Sequence, residues 1–203
     1  MHIMITKIFN ILIFTLVLIF SLQSWTKADN ISEFEIEGMS VGDSLLDFFT
    51  KEEIDNMYIV TYPKSKKYIK LGMNKSSKLE DYEHVTFHVK ENDKKYIIHT
   101  INGVIFFENR LSDCLNEKEN VVNDLSSVIT DIKSFDYEYK YKGEDEGSIA
   151  YVSDFEFKDK SSIRVWCVDW TEFVENSKSF ADSLSISISP NYFFDWLNTE
   201  AYE

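Results

Sequence analysis

Twice along this chain the apolar residues change from helical spacing to alternation, and that double switch narrows the fold more than any other feature. The first change falls at Met57. Before it, Leu45, Leu46, Phe48 and Phe49 form a helical stripe behind Ser40 and Asp43, and Thr50 with Glu53 starts a second helical piece in KEEIDNM. After it, YIVTY and KKYIKLGM read as short strands parted by Pro63, which has no N–H to give a ladder. The second change follows the longest helix, LNEKENVVNDLSSVITDI, capped by Ser112 and carrying Cys114, Val121, Leu125, Val128 and Ile132 on one face. FDYEYKY then alternates strictly, with Phe135, Tyr137, Tyr139 and Tyr141 on one side and charges on the other. Helices followed by runs of strands, twice over, predict an α+β fold: a largely antiparallel sheet, or two adjoining meanders, with helices packed on one face.

The remaining segments fit that plan. Residues 31–38 alternate loosely, as an edge strand ending at Gly38 would, and residues 73–82 are a polar loop. HVTFHVK and KYIIHTI make a hairpin whose turn centres on Asn92 and Asp93, and Gly103 turns the chain into VIFFE. After a GEDEG turn, Ile149, Tyr151, Phe155 and Phe157 run in phase. IRVWCVDW is apolar on both faces, the pattern of a central strand covered twice. Residues 171–182 are a polar connection and SLSISI is a last strand. Ser189-Pro190 then opens a short helix with Phe193, Trp196 and Leu197 as its apolar side. Residues 29–203 thus form a single α+β domain, divisible into half-units 31–108 and 112–203. No glycine-rich loop follows a strand, which sets aside a doubly wound nucleotide fold.

Residues 1–28 read as an address. Lys7 precedes an apolar run over residues 8–20 broken only by Asn10 and Thr15, and Ala28 follows with Thr26 two places before it. That is the order of a secretory signal peptide, and the run is shorter than the roughly 20 residues that span a bilayer. Cleavage after Ala28 leaves a chain starting at Asp29, periplasmic or secreted, with no stable membrane anchor. Loss of Lys7 and Lys27 moves the net charge from −14 to −16. So acidic a surface argues against nucleic acid, because phosphate needs the opposite sign, and admits a protein partner or a small cationic ligand. At 44% apolar and 15% aromatic the chain can offset the entropy of folding.

The stretch ISEFEIEGMSVGDSLLDFFTKEEI and the later IRVWCVDW resemble a family of small exported proteins of marine alphaproteobacteria, over most of the mature chain. The resemblance implies export and brings no catalytic residues. Gly38-Met39-Ser40 is similar, more distantly, to the helix opening of small outer-membrane assembly lipoproteins, which continue into a meander. This chain departs from them in having no lipobox cysteine, so their assembly role does not carry over.

No Gly-x-Ser-x-Gly elbow, His-Glu-x-x-His segment, Walker loop or CxxC motif is present. Asp154 and Glu156 share a strand face in a spacing that suits acid–base work, yet such pairs arise readily on the solvated faces of an acidic protein. The reading leans against an enzyme and toward an extracytoplasmic binding or protein-interaction module. A small periplasmic hydrolase-type enzyme and a structural envelope protein are the alternatives. Two side-chain groupings carry specific expectations. With the hairpin turn at Asn92-Asp93, Thr86 faces His99 and His88 faces Ile97. His84, His88 and His99 then share a sheet face, where three imidazoles can converge on Zn²⁺ or Cu²⁺. Cys114 on the long helix and Cys167 on a buried strand predict a disulfide, as two cysteines in an exported chain allow. Export itself is checked by intact-mass measurement of the protein from a periplasmic fraction: the expected species begins at Asp29, and a full-length membrane-retained species contradicts it.

Overall fold

The structure, a computed structural model, describes residues 28–107, 110–130, 132–178 and 180–202. The expected signal segment therefore lies, but for Ala28, outside the described residues. In chain order α1 (Lys51–Asp55) precedes β1 (Tyr58–Val60), β2 (Tyr68–Asn74), β3 (His84–Lys90) and β4 (Thr100–Phe106). Then α2 (Leu111–Val128) leads into β5 (Lys133–Lys140), β6 (Ile149–Glu156) and β7 (Ser162–Asp169). The chain ends with α3 (Glu172–Lys178), β8 (Ser183–Ser189) and α4 (Asn191–Thr199). Among the described residues eight strands pair antiparallel in the order β1-β2-β3-β4-β8-β7-β6-β5, so two four-stranded meanders meet at β4 and β8. The α+β class and the antiparallel sheet are as the sequence predicts.

Register turns the apolar half of each strand into one continuous core. Leu71, Phe87, Ile101, Ile188, Ile163 and Phe155 stand opposite one another in a row across six strands, and all are buried. Removing the Phe87 side chain from such a row costs about 3–5 kcal/mol, the transfer term plus the cavity it leaves. This front face is covered twice. The segment before β1 lays Ile36, Met39, Leu45, Phe49 and Ile54 into the core, with Phe49 edge-on to Phe87 at 6.1 Å. Over the second meander α2 does the same, and its Cys114 is joined to Cys167 of β7.

The last helix goes elsewhere. In α4, Phe193 packs on His88 at 4.5 Å and Trp196 on Tyr68 at 4.8 Å, and both partners alternate with front-face residues of β3 and β2. Thus α4 lies on the back face, over the first meander, while the other covering segments hold the front. Trp196 donates its indole N–H to Ser65 Oγ at 2.9 Å, which satisfies its polar end at the helix seat.

Several local expectations are corrected. The hairpin between β3 and β4 is wider than a turn at Asn92-Asp93 would make it: His88 stands opposite Thr100 and Thr86 opposite Asn102. The reason is competition for backbone partners. Ile98 donates to Asp43 O and Gly42 to Ile98 O, each at 2.9 Å, and Leu45 donates to Tyr96 O, so residues 96–98 are bound to the N-terminal segment instead of β3. Asn92 still adopts the left-handed conformation expected of a turn residue (φ 63°). Residues 31–38 are not a strand. They form a 3-10 turn, Ile31–Glu33, and then a tight loop in which Ile36 and Met39 exchange both backbone hydrogen bonds across Glu37 and Gly38, both at positive φ. Gly103 does not turn the chain but sits inside β4, where the Tyr82 ring lies so close that a Cβ would meet it at 2.4 Å. The Leu45 stripe yields only a 3-10 turn, Leu45–Asp47, capped by Ser44, whereas the Thr50–Glu53 capping box forms as expected at the start of α1. Arg110 in place of Ser112 is the N-cap of α2, and α4 begins one residue later than Ser189-Pro190 would place it.

The disulfide closes a loop with a sequence separation of 53, which in the chain-entropy account constrains the unfolded state by about 4 kcal/mol. The paired substitution Cys114→Ser with Cys167→Ser is expected to lose about 2–4 kcal/mol in urea unfolding. A loss well below about 1 kcal/mol contradicts a bridge that constrains the unfolded chain.

Candidate functional site

The back face carries what remains after the core is filled. The three histidines are there, each enclosed by aromatic and polar neighbours. His84 Nδ1 donates to Asn74 Oδ1 at 3.0 Å and its Nε2 accepts from Tyr58 OH at 2.8 Å, with the two rings stacked. Tyr58 can lie down because Gly72 has no side chain beneath it. His88 pairs through Nε2 with Tyr62 OH and through Nδ1 with Thr100 Oγ1, both at 2.6 Å. His99, just ahead of β4, pairs through Nδ1 with Tyr192 OH of α4 at 2.8 Å. His88 and His99 thus help to seat α4 through Phe193 and Tyr192, whereas His84 is held by Tyr58 of β1 and Asn74 of β2. Among the described residues no group of three or more His, Cys, Asp or Glu side chains is placed to hold a metal ion.

Beyond α4, on the back face of the second meander, aromatic side chains pack over Ala150, Val152 and Val168, and a cleft opens beside them. Its floor is made of small side chains, Ala150 and Val152 of β6 and Ser187 of β8, with the tyrosines of β5 on one side and Phe194 of α4 on the other. Tyr137, Tyr139, Tyr141, Trp166 and Arg164 complete the lining of a cavity of about 350 Å³. Register explains why the aromatics of β5 are here and not in the core: Tyr137 stands opposite Val152 and Tyr139 opposite Ala150, the back-face residues of β6. Tyr141 extends the wall, edge-on to Tyr139 at 5.1 Å and against Trp170 at 4.9 Å.

Arg164 divides this cleft from a more polar cavity of about 320 Å³ lined by Asp154, Glu156, Lys160 and Asp195. Its guanidinium donates two N–H bonds to Asp154 Oδ2, at 2.6 and 3.1 Å, and lies 5.7 Å from the Phe194 ring centre. The other oxygen, Asp154 Oδ1, is buried with no hydrogen-bond partner among the described residues. Glu156 is held by Lys160 at 2.8 Å, and that hydrogen bond holds its carboxyl below the usual range. The acidic pair noted in the sequence is therefore two carboxylates, each already paired with a cation.

The sequence pointed to the histidines and missed the cleft. Its signals were present: strict aromatic alternation in β5, and Trp166 on the second face of IRVWCVDW. On that second face, read as covered, Val168 is buried, while Arg164 and Trp166 border the cleft. No family model, curated protein or solved structure matches the chain, so the functional reading rests on this geometry.

Burial pushes the His88 imidazole down to about 3, with Lys70 and His99 adding in the same direction; burial also lowers His84 and His99. In the unfolded chain His88 titrates near its ordinary 6.5, so between 6.5 and 3 the unfolded state binds more protons. Stability is then full above about pH 6.5 and declines as pH falls toward 3. Ring-proton NMR is expected to show His88 neutral at about pH 4.5, and a His88→Gln variant is expected to lose less stability than wild type on acidification. A His88 midpoint near 6 contradicts its burial under α4.

Proposed function

We propose that this protein is a non-enzymatic extracytoplasmic binding module that takes a ring-bearing organic cation in the back-face cleft. The observation that carries this reading is the cleft itself: five aromatic side chains around a floor of small residues, at a volume within the range of ligand pockets. Aromatic faces attract cations through their quadrupoles, and Tyr137, Tyr139, Tyr141, Trp166 and Phe194 offer them from several directions. The charge of Arg164 is offset by Asp154, and the net charge of −14 favours a positive ligand over a negative one. The Cys114–Cys167 bridge supports an oxidising compartment, where such bonds persist. Favouring binding over hydrolysis, Asp154 and Glu156 are each engaged by a cation, Arg164 and Lys160.

Calorimetric titration with benzyltrimethylammonium, benzyl alcohol and benzoate separates ring, charge and sign. The expected order is cation, then neutral ring, then anion. Tyr139→Ala combined with Trp166→Ala is expected to weaken the cation about tenfold, since each cation–π contact is worth about 0.5–2 kcal/mol. Equal affinity for the three probes, or preference for benzoate, overturns the reading.

A further inference from the structure

The sheet ends on two edges of different design. One is β1, which spans Tyr58–Val60 and is followed by Pro63, so that edge is short and soon interrupted by a residue without an N–H. The other is β5, which runs Lys133–Lys140 in unbroken register with β6, from Lys133 opposite Glu156 to Lys140 opposite Ile149. It has no proline and no bulge, and every residue in it is exposed. In an antiparallel ladder alternate backbone groups of an edge strand point outward, so β5 presents a row of N–H and C=O groups that a further strand can pair with.

The side chains of β5 define which strand. On the back face Phe135, Tyr137 and Tyr139 offer exposed ring surface, and on the front face Asp136 and Glu138 offer carboxylates between Ser134 and Lys140. Asp136 accepts the hydroxyl of Ser153, to which Lys118 also donates at 2.5 Å, so its position is held from beneath. We infer that β5 accepts an extended basic peptide by strand addition, with Lys or Arg at alternate positions beside Asp136 and Glu138 and apolar side chains beside Phe135, Tyr137 and Tyr139. A second copy of the chain fits worse. About a two-fold axis like faces stay together, and the antiparallel self-registers that pair the most residues set Asp136 against Asp136 or against Glu138. The net charge of −14 adds long-range repulsion between copies and attraction for a basic partner.

This inference does not depend on what fills the cleft. Its test uses the full exported chain with a fluorescein-labelled peptide of sequence TKVRVKVT, against the acidic TEVEVEVT and the non-alternating TKRKVVVT of the same composition. Anisotropy is expected to show the alternating basic peptide binding at least about tenfold tighter than either control, and Glu138→Lys to weaken it about tenfold. Hydrogen–deuterium exchange along Lys133–Lys140 is expected to slow about tenfold in the complex, because the outward N–H groups gain partners. Equal binding of TKVRVKVT and TKRKVVVT reduces the effect to bulk charge and overturns the proposal. So does unchanged exchange along β5, the absence of binding, or self-association of the chain that protects β5 without peptide.

Discussion

The pairing of β4 with β8 is the interaction on which the rest of the molecule depends. Ile101 stands opposite Ile188, Gly103 opposite Ile186 and Ile105 opposite Leu184, so the two meanders fuse through a seam that is apolar on its front face. Without it each meander would expose an edge strand and half of a core row, and neither covering segment would have a full surface to close. With it, the helix-then-meander plan of the two halves becomes one sheet whose front is sealed by the N-terminal segment on one side and by α2 on the other. The disulfide reinforces the second of these closures by joining α2 to β7.

The same seam sets the character of the back face. Alternation turns Ser183, Ser185, Ser187 and Ser189 of β8 to the side opposite Leu184, Ile186 and Ile188. Small polar side chains at the centre of the sheet leave the back face low between two raised walls, α4 seated on tyrosines and histidines and the aromatic row of β5. The cleft is the space between those walls, so its existence follows from packing rather than from any local motif. Its polar end is set by the row of Ser187, Arg164 and Asp154, consecutive partners across β8, β7 and β6. That row explains why one arginine sits among aromatic side chains: it closes an ion pair with its cross-strand neighbour, with two N–H donors converging on Asp154 Oδ2.

Acidity and open surface fit the two binding readings together. The protein pairs the carboxylates beside its cleft with Arg164 and Lys160 and sets that aromatic cleft next to an aromatic, carboxylate-bearing edge strand. The two sites share Tyr137 and Tyr139, which line the cleft and belong to the free edge of the sheet. An occupant of one therefore touches the wall of the other.

What the amino-acid sequence by itself determined is the alternation in β5, β6 and β8, the long helix with Cys114 on its buried stripe, the disulfide to Cys167, and hence the α+β class. These are periodic features, and their period survives whatever they pack against. Only the tertiary structure decided the register of β3 with β4, because residues 96–98 give their backbone hydrogen bonds to residues 42–45, far away in the chain. It also decided that 31–38 bends into a turn, since Ile36 and Met39 are worth more buried together than extended at an edge. Likewise α4 takes the back face, since the front over the first meander is already filled by the N-terminal segment. The cleft was invisible for the same reason: Tyr137, Trp166, Ser187 and Phe194 are brought together by strand order and by the seat of α4, and no local pattern specifies which face of a strand another part of the chain will leave open.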